Sequence, residues 1–328
     1  SYLCATMIPY TRKTLPNGLT VVVNRDRASK LAAVNILYRV GARNENPART
    51  GFAHLFEHLM FRGTRAVENF DLPVQMASGD NNAFTNNDYT DFYITLPKDN
   101  LETALWLESD RMEGLDITPA KLEAEKKVVI EEFRQRYLNQ PYGDQTMLLR
   151  ALAYKVHPYR WAAIGLATDH IAGATLADVE SFYRAHYRPS NAILSISADM
   201  EEEWMLELAE KWFAPLADHP SETAAIPQEP VQTQARRQEV ERDVPASTVT
   251  VAYHMCARTK LDFYTADLVS DLLSGGDSGR LYTHLVKERN LLSSVNAYIT
   301  GDVDPGLFVF TGQLLPGVTP EAAEAAFR

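Results

Sequence analysis

The chain holds 328 residues, 45% of them hydrophobic, and carries a formal net charge of −11. That length gives room for about two domains, and no apolar run reaches the ~18 residues of a membrane span. The acidic balance argues against a nucleic-acid backbone as partner; it reads first as solubility and second as a preference for basic or unfolded peptides.

The opening stretch from Ser1 to Pro9 lacks the basic region and apolar core of a secretory signal. It reads as a processing stub or an expression scar. A cytoplasmic setting is favoured, and a periplasmic one stays open if a leader was removed. Cys4 and Cys256 are the only cysteines, far apart, and read as free thiols. With no Cys-x-x-Cys, a metal site here would have to be built from His and carboxylate.

Residues 11–15 and 19–23, joined through Asn17-Gly18, predict a hairpin. A strand is expected over 31–40, then a loop over 41–47. Next comes Gly51-Phe52-Ala53-His54-Leu55-Phe56-Glu57-His58-Leu59-Met60-Phe61-Arg62-Gly63. Phe52, Leu55, Phe56 and Leu59 follow the helical i, i+3, i+4, i+7 pattern and form a core stripe. His54, Glu57, His58 and Phe61 fall on the other side. His54 and His58, four apart, place two imidazoles one turn apart on one face, near enough to share a metal. Glu57 points into the same space and can act as a base toward water without being a ligand. The pattern is H-x-x-E-H, the inverse of the common zinc-protease helix. So short a pattern also arises by chance, so the reading needs a third ligand. Gly63 is the expected helix C-cap.

A loop and short helix are expected over 65–78, then one long strand over 82–96 ended by Pro97. Its polar Asn82, Thr85 and Asn87 have little to bury, which suits an edge that accepts another strand. The competing reading is an internal strand with Asn in a bulge. A helix is expected over 100–112.

Thr118-Pro119 is a good helix start, a hydroxyl cap followed by Pro at the first position. The helix over 120–137 turns Leu122, Val129, Ile130, Phe133 and Tyr137 to one face. At about 100° per residue, Glu131 sits opposite that face and belongs in water. Glu125 and Glu132, seven apart, share a stripe at its edge, half drawn into the protein. A carboxylate there needs a partner. Glu132 is therefore taken as the third ligand and Glu125 as a group that supports the site. For Glu125 the competing reading is a structural ion pair with Lys or Arg.

Helices are expected over 142–156, 176–185 and 201–213, with a buried strand over 192–198. His157, before Pro158, is a conceivable extra ligand but reads first as an ordinary loop residue. Residues 214–234 are rich in Pro, Glu, Thr and Ala, a linker composition. The pattern then restarts: 236–244 and 247–255 parallel the opening hairpin and strand, and a helix over 261–273 and the Gly275-Gly276 loop follow.

H-x-x-E-H followed by Glu125-Lys126-Lys127-Val128-Val129-Ile130-Glu131-Glu132 resembles the pitrilysin/insulinase family of zinc peptidases, the inverzincins. The likeness is to its bacterial processing-peptidase-like members and the zinc-binding subunit of mitochondrial processing peptidase. Gly79-Asp80-Asn81-Asn82-Ala83-Phe84-Thr85, with Asp88, Thr90 and Tyr93, resembles the family's substrate-pairing strand. Tyr187-Arg188-Pro189-Ser190-Asn191-Ala192 and Ser274-Gly275-Gly276-Asp277-Ser278-Gly279-Arg280-Leu281-Tyr282 resemble motifs of its first and second domains. The resemblance runs from about Tyr10 to about Gly312.

The resemblance implies an α+β fold of two homologous domains, each a mostly antiparallel sheet flanked by helices. The expected division is a zinc-binding domain over 1–216, a linker over 217–234 and a second domain over 235–328. The second domain is shorter than the family's, so the chain is expected to be part of a longer protein. The resemblance further implies one Zn²⁺ per chain on His54, His58 and Glu132, supported by Glu125, with substrate backbone pairing near Asn82, Ala83 and Phe84. The implied activity is metalloendopeptidase cleavage of peptides or unfolded polypeptides inside a clamshell chamber, with Glu57 activating the zinc's water.

One departure stands out. Many members carry an Arg and a Tyr, seven apart, in the second domain. Here those positions are Val286 and Ser293, and neither side chain can donate in their place. The expectation is a dimer, preferably a heterodimer with a homologous subunit that supplies the pair. The reading from another class is a non-catalytic core subunit of a larger complex.

Overall fold

The computed structural model describes residues 8–219 and 224–327. Cys4 and the linker positions 220–223 lie outside the described residues; Cys256 is a half-buried free thiol. The elements in chain order are β1 (Thr11–Thr14), β2 (Thr20–Arg25), β3 (Leu31–Tyr38), α1 (Phe52–Leu59), α2 (Asp71–Met76), β4 (Asp80–Thr85), β5 (Thr90–Pro97), α3 (Leu101–Glu113), α4 (Pro119–Phe133) and α5 (Gln145–Ala153). They continue as α6 (Thr168–Ala172), α7 (Leu176–His186), β6 (Ala192–Ala198), α8 (Glu202–Phe213), β7 (Thr248–His254), α9 (Leu261–Ser274), β8 (Leu292–Ile299), β9 (Leu307–Leu314) and α10 (Pro320–Phe327).

Two compact units emerge. One joins the residues up to Arg134 with His157–Pro227; the other joins Gln135–Val156 with Gln228 onward. The segment bearing α5, which sequence reading leaves with the first domain, therefore clusters with the second unit. Each unit pairs an antiparallel sheet with flanking helices, the expected α+β class.

The first unit's sheet runs β1-β2-β6-β3-β5-β4, antiparallel except for the parallel pair β2 and β6. Strand β3 shows why it sits centrally. Its alternate residues Ala32, Val34, Ile36 and Tyr38 are fully buried, and its neighbours β5 and β6 present Phe92, Ile94, Leu96, Leu194 and Ile196 to the same core. At one end β4 has, among the described residues, a strand partner on one side only, β5.

The single strand expected over 82–96 is in fact this β4–β5 hairpin. The side chain of Asn86 accepts the backbone N–H groups of Asp88 (2.8 Å) and Tyr89 (2.9 Å), an Asx turn that reverses the chain. Asn87, expected on an exposed edge, is buried in that turn.

Three other expectations need correction. Helix α1 ends with Met60 at its C-cap. Gly63 instead occupies a left-handed turn position (φ 94°) where a Cβ would stand 2.4 Å from the Glu68 carbonyl. The helix expected over 120–137 is α-helical to Phe133 and then π-helical over Arg134–Leu138.

The repeat of the opening hairpin fails as well, because residues 236–244 form no strand. Their arginines are held by side-chain partners instead. Arg236 donates to the carbonyls of Leu152 and Ala153, Arg237 pairs with Glu239, Glu321 and Glu324, and Arg242 pairs with Asp144.

The second unit's sheet runs β7-β9-β8, all antiparallel. Leu285, Leu292, Leu314 and Ala323 form a buried cluster there.

Candidate metal centre

Helix α1 is anchored by the stripe expected of it: Phe52, Leu55, Phe56 and Leu59 are each at most 3% exposed. Phe56 stacks on Phe182, Tyr183 and Tyr187 at centroid distances of 5.3, 6.2 and 5.1 Å. With one face so held, the other turns His54, Glu57 and His58 toward α4. His54 is buried, while Glu57 and His58 are half-buried.

Helix α4 starts as its sequence predicts, the Thr118 hydroxyl accepting the Lys121 N–H at 3.2 Å with Pro119 in the first turn. Leu122, Val129 and Phe133 are buried and Glu131 is exposed. This rotation aims Glu132 and Glu125 at α1.

Glu132 Oε2 lies 3.6 Å from His54 Nε2 and 3.3 Å from His58 Nε2. Among the described residues this trio is the group of His, Cys, Asp and Glu side chains whose ligand atoms converge, all within 4.8 Å of one another. The spacing tests the fit to zinc. Ligands about 2.1 Å from a tetrahedral zinc stand about 3.4 Å apart, whereas a charge-assisted hydrogen bond would draw the same atoms to about 2.8 Å. Two imidazole nitrogens and a carboxylate oxygen are also the donor types a three-ligand zinc site uses. The residues present fit the metal.

Glu125, 1% exposed, touches both kinds of partner considered for it. Its Oε2 lies 3.4 Å from His58 Nδ1, while its Oε1 pairs with Arg62 Nη2 at 2.5 Å. Burial alone would lower the His58 pKa, but the contacts with Glu125 and Glu132 outweigh it and hold the pKa at about 9.

Two further residues border the site without a motif to mark them. Arg62 lies four after His58, a helical spacing that was readable. Glu45 gave no such signal. Its buried carboxylate accepts the N–H groups of Gly51 (2.8 Å) and Ala53 (2.9 Å) and the indole N–H of Trp161 (3.1 Å). Burial pushes this carboxyl up to about 8, against the pull of those donors. His157 is buried against Tyr159, its Nδ1 accepting the Tyr159 N–H, and stands outside the converging trio.

Asn82, Ala83 and Phe84 lie on β4, with Asn82 and Phe84 exposed. The Ala83 N–H donates to Asn82 Oδ1 at 2.8 Å.

In the second unit, Val286 packs against the buried cluster. Ser293 is exposed at an irregularity in the β8–β9 register.

A pocket of about 1100 Å³ opens beside His58 and Glu125, lined also by Phe61, Trp106 and Val128.

Two family models match the chain: Insulinase (Peptidase family M16) over residues 20–161 and Peptidase M16 inactive domain over residues 173–328. The zinc protease PqqE of Helicobacter pylori is 33% identical over 317 residues, covering 95% of this chain and 71% of that protein. A probable mitochondrial-processing peptidase subunit beta of Arabidopsis thaliana is 25% identical over 315 residues, 92% of this chain and 59% of its own length. A crystal structure of a Helicobacter pylori protease superposes with a TM-score of 0.89 at 32% identity, over 97% of this chain and 77% of that one.

Proposed function

The chain belongs to peptidase family M16, the insulinase family, and from that premise we propose that it is a zinc metalloendopeptidase whose metal is held by His54, His58 and Glu132. One observation carries the reading: three ligand atoms of the right chemistry converge at 3.3 and 3.6 Å, spacings suited to a shared zinc.

Bound there, one zinc per chain would supply Lewis-acid polarisation of a carbonyl and acidify water to a pKa of about 7. The rest falls to the chain's own groups. Glu57, beside His58 and three residues after His54, takes the proton from the attacking water and passes it to the leaving amine. Glu125 holds the His58 ring. An extended peptide adds to the free side of β4 near Asn82, Ala83 and Phe84, its backbone pairing with the strand's own. The substrate class is peptide or unfolded polypeptide, enclosed in a clamshell chamber.

The second unit supplies no Arg/Tyr pair in this reading. Val286 is committed to packing and Ser293 is a short hydroxyl. A homologous subunit supplies the pair in a heterodimer, which accords with a relative described as a subunit beta. A competing reading, a non-catalytic core subunit, draws on the match to the M16 inactive domain over residues 173–328.

The experiment measures zinc content together with cleavage of a quenched extended peptide, by the protein alone and mixed with a homologous subunit. Zinc with cleavage only in the mixture is the expected result. Cleavage by the protein alone removes the need for a donated pair. Zinc without cleavage in either case gives the core-subunit reading the field. Absence of stoichiometric zinc overturns the assignment.

A further inference from the structure

Helix α1 has eight residues, too few to hold its shape and direction without outside support. Its first N–H groups need acceptors. The usual source is the side chain at the N-cap, but that position is Gly51, in the left-handed region at φ 90°. A Cβ there would meet the Ile164 carbonyl at 2.6 Å, so no side chain fits. The cap comes from six residues upstream. Glu45 Oε1 accepts from Ala53, the residue before His54, and Oε2 accepts from Gly51. The carboxylate is itself fixed by the Trp161 indole, which also donates to the Ala42 carbonyl at 3.0 Å. Thr50 is held from the same side, its hydroxyl 2.9 Å from His170 Nδ1 and accepting the Leu166 N–H at 2.7 Å.

We infer that Glu45 is a positioning residue of the metal centre: by capping α1 through Gly51 and Ala53 it sets the angle and depth at which the helix delivers His54, Glu57 and His58 to Glu132. The inference rests on the zinc reading given above. Placement matters because a shift of about 1 Å at reacting groups can cost roughly a hundredfold in rate.

Two variants test it. Glu45→Gln preserves shape but turns one accepting oxygen into a donor that faces another N–H. Glu45→Asp keeps both carboxyl oxygens and falls short by one methylene. Leu194→Ala, in the fully buried middle of β6, serves as a control that destabilises the unit away from the metal. The readouts are zinc affinity by chelator competition, the absorption bands of the cobalt-substituted protein, and kcat and KM on the quenched peptide, with any required partner subunit present.

The expected result for both Glu45 variants is folded protein with zinc affinity about tenfold or more weaker, in the range seen for groups that orient ligands. Cobalt bands should shift and kcat should fall with KM within twofold. Leu194→Ala should lower the melting temperature with zinc affinity and cobalt bands unchanged. Glu45 variants that melt earlier but keep wild-type affinity and bands overturn the inference. Failure of both to fold also overturns it, because Glu45 would then serve folding rather than placement. Wild-type protein that takes up no zinc removes the underlying zinc reading instead.

Discussion

The Glu125 carboxylate lies 3.4 Å from Nδ1 of His58, while Glu132 lies 3.3 Å from Nε2 of the same ring. The imidazole is thus held from behind by one acid of α4 and faces the other, seven residues on. A proton kept on Nδ1 toward Glu125 leaves the Nε2 lone pair for metal. Glu125→Gln is expected to weaken zinc binding by about 10–100-fold, the usual cost of losing such a partner. Chelator competition measures it. Arg62, half exposed, can turn to water in the variant, so the fold should survive.

Glu57→Gln separates metal binding from proton transfer. The amide keeps the size of the side chain and loses its basicity. Zinc content should remain at one per chain while kcat falls by about 10²–10⁴, the range for removing a general base. Robust turnover in this variant would remove Glu57 from its role. Metal analysis alongside the peptide assay decides it.

The features that sequence made legible share one property: they depend on periodicity along a single helix. The stripe Phe52, Leu55, Phe56 and Leu59, the opposed His54 and His58, and the choice of Glu132 over Glu131 all follow from 3.6-residue geometry, and burial agrees with each. The features that escaped depend on contacts between segments distant in sequence. Glu45 caps α1 only because Trp161 and Ile164 close in on the loop from more than a hundred residues away. The β4–β5 turn was missed because no Gly or Pro marks it, Asn86 supplying the reversal through side-chain bonds. The strand expected over 236–244 failed because alternation of apolar residues is too weak there to outbid its arginines' ion pairs.

The free side of β4 offers a direct test of substrate pairing. The Ala83 N–H is taken up by its neighbour Asn82 Oδ1 rather than by the sheet, so it is a donor an incoming strand can claim. Proline lacks that donor and is tolerated on edge strands. Ala83→Pro should therefore raise KM for long extended peptides about tenfold, the worth of a lost backbone hydrogen bond and its desolvated partner. Zinc content and melting temperature should stay near wild type. An unchanged KM would move the substrate away from this edge.

His186 gives the first unit a weakness to acid. Burial, with a smaller contribution from the Arg188 charge, lowers its pKa from 6.5 to about 4. Between those two values the unfolded chain takes up a proton that the folded chain resists. The stability from keeping this ring neutral is complete above pH 6.5 and is lost as pH falls toward 4. At pH 5 the loss is about 2 kcal/mol. The ring packs 4.6 Å from Phe182, which stacks 5.3 Å from Phe56 of α1. Loosening here therefore reaches the helix that bears both histidines. His186→Phe keeps an aromatic ring at the position and cannot titrate. Urea unfolding of metal-free protein at pH 7.5 and pH 5 should show a smaller fall in stability for the variant than for wild type. An equal fall in both would assign the acid sensitivity to other groups.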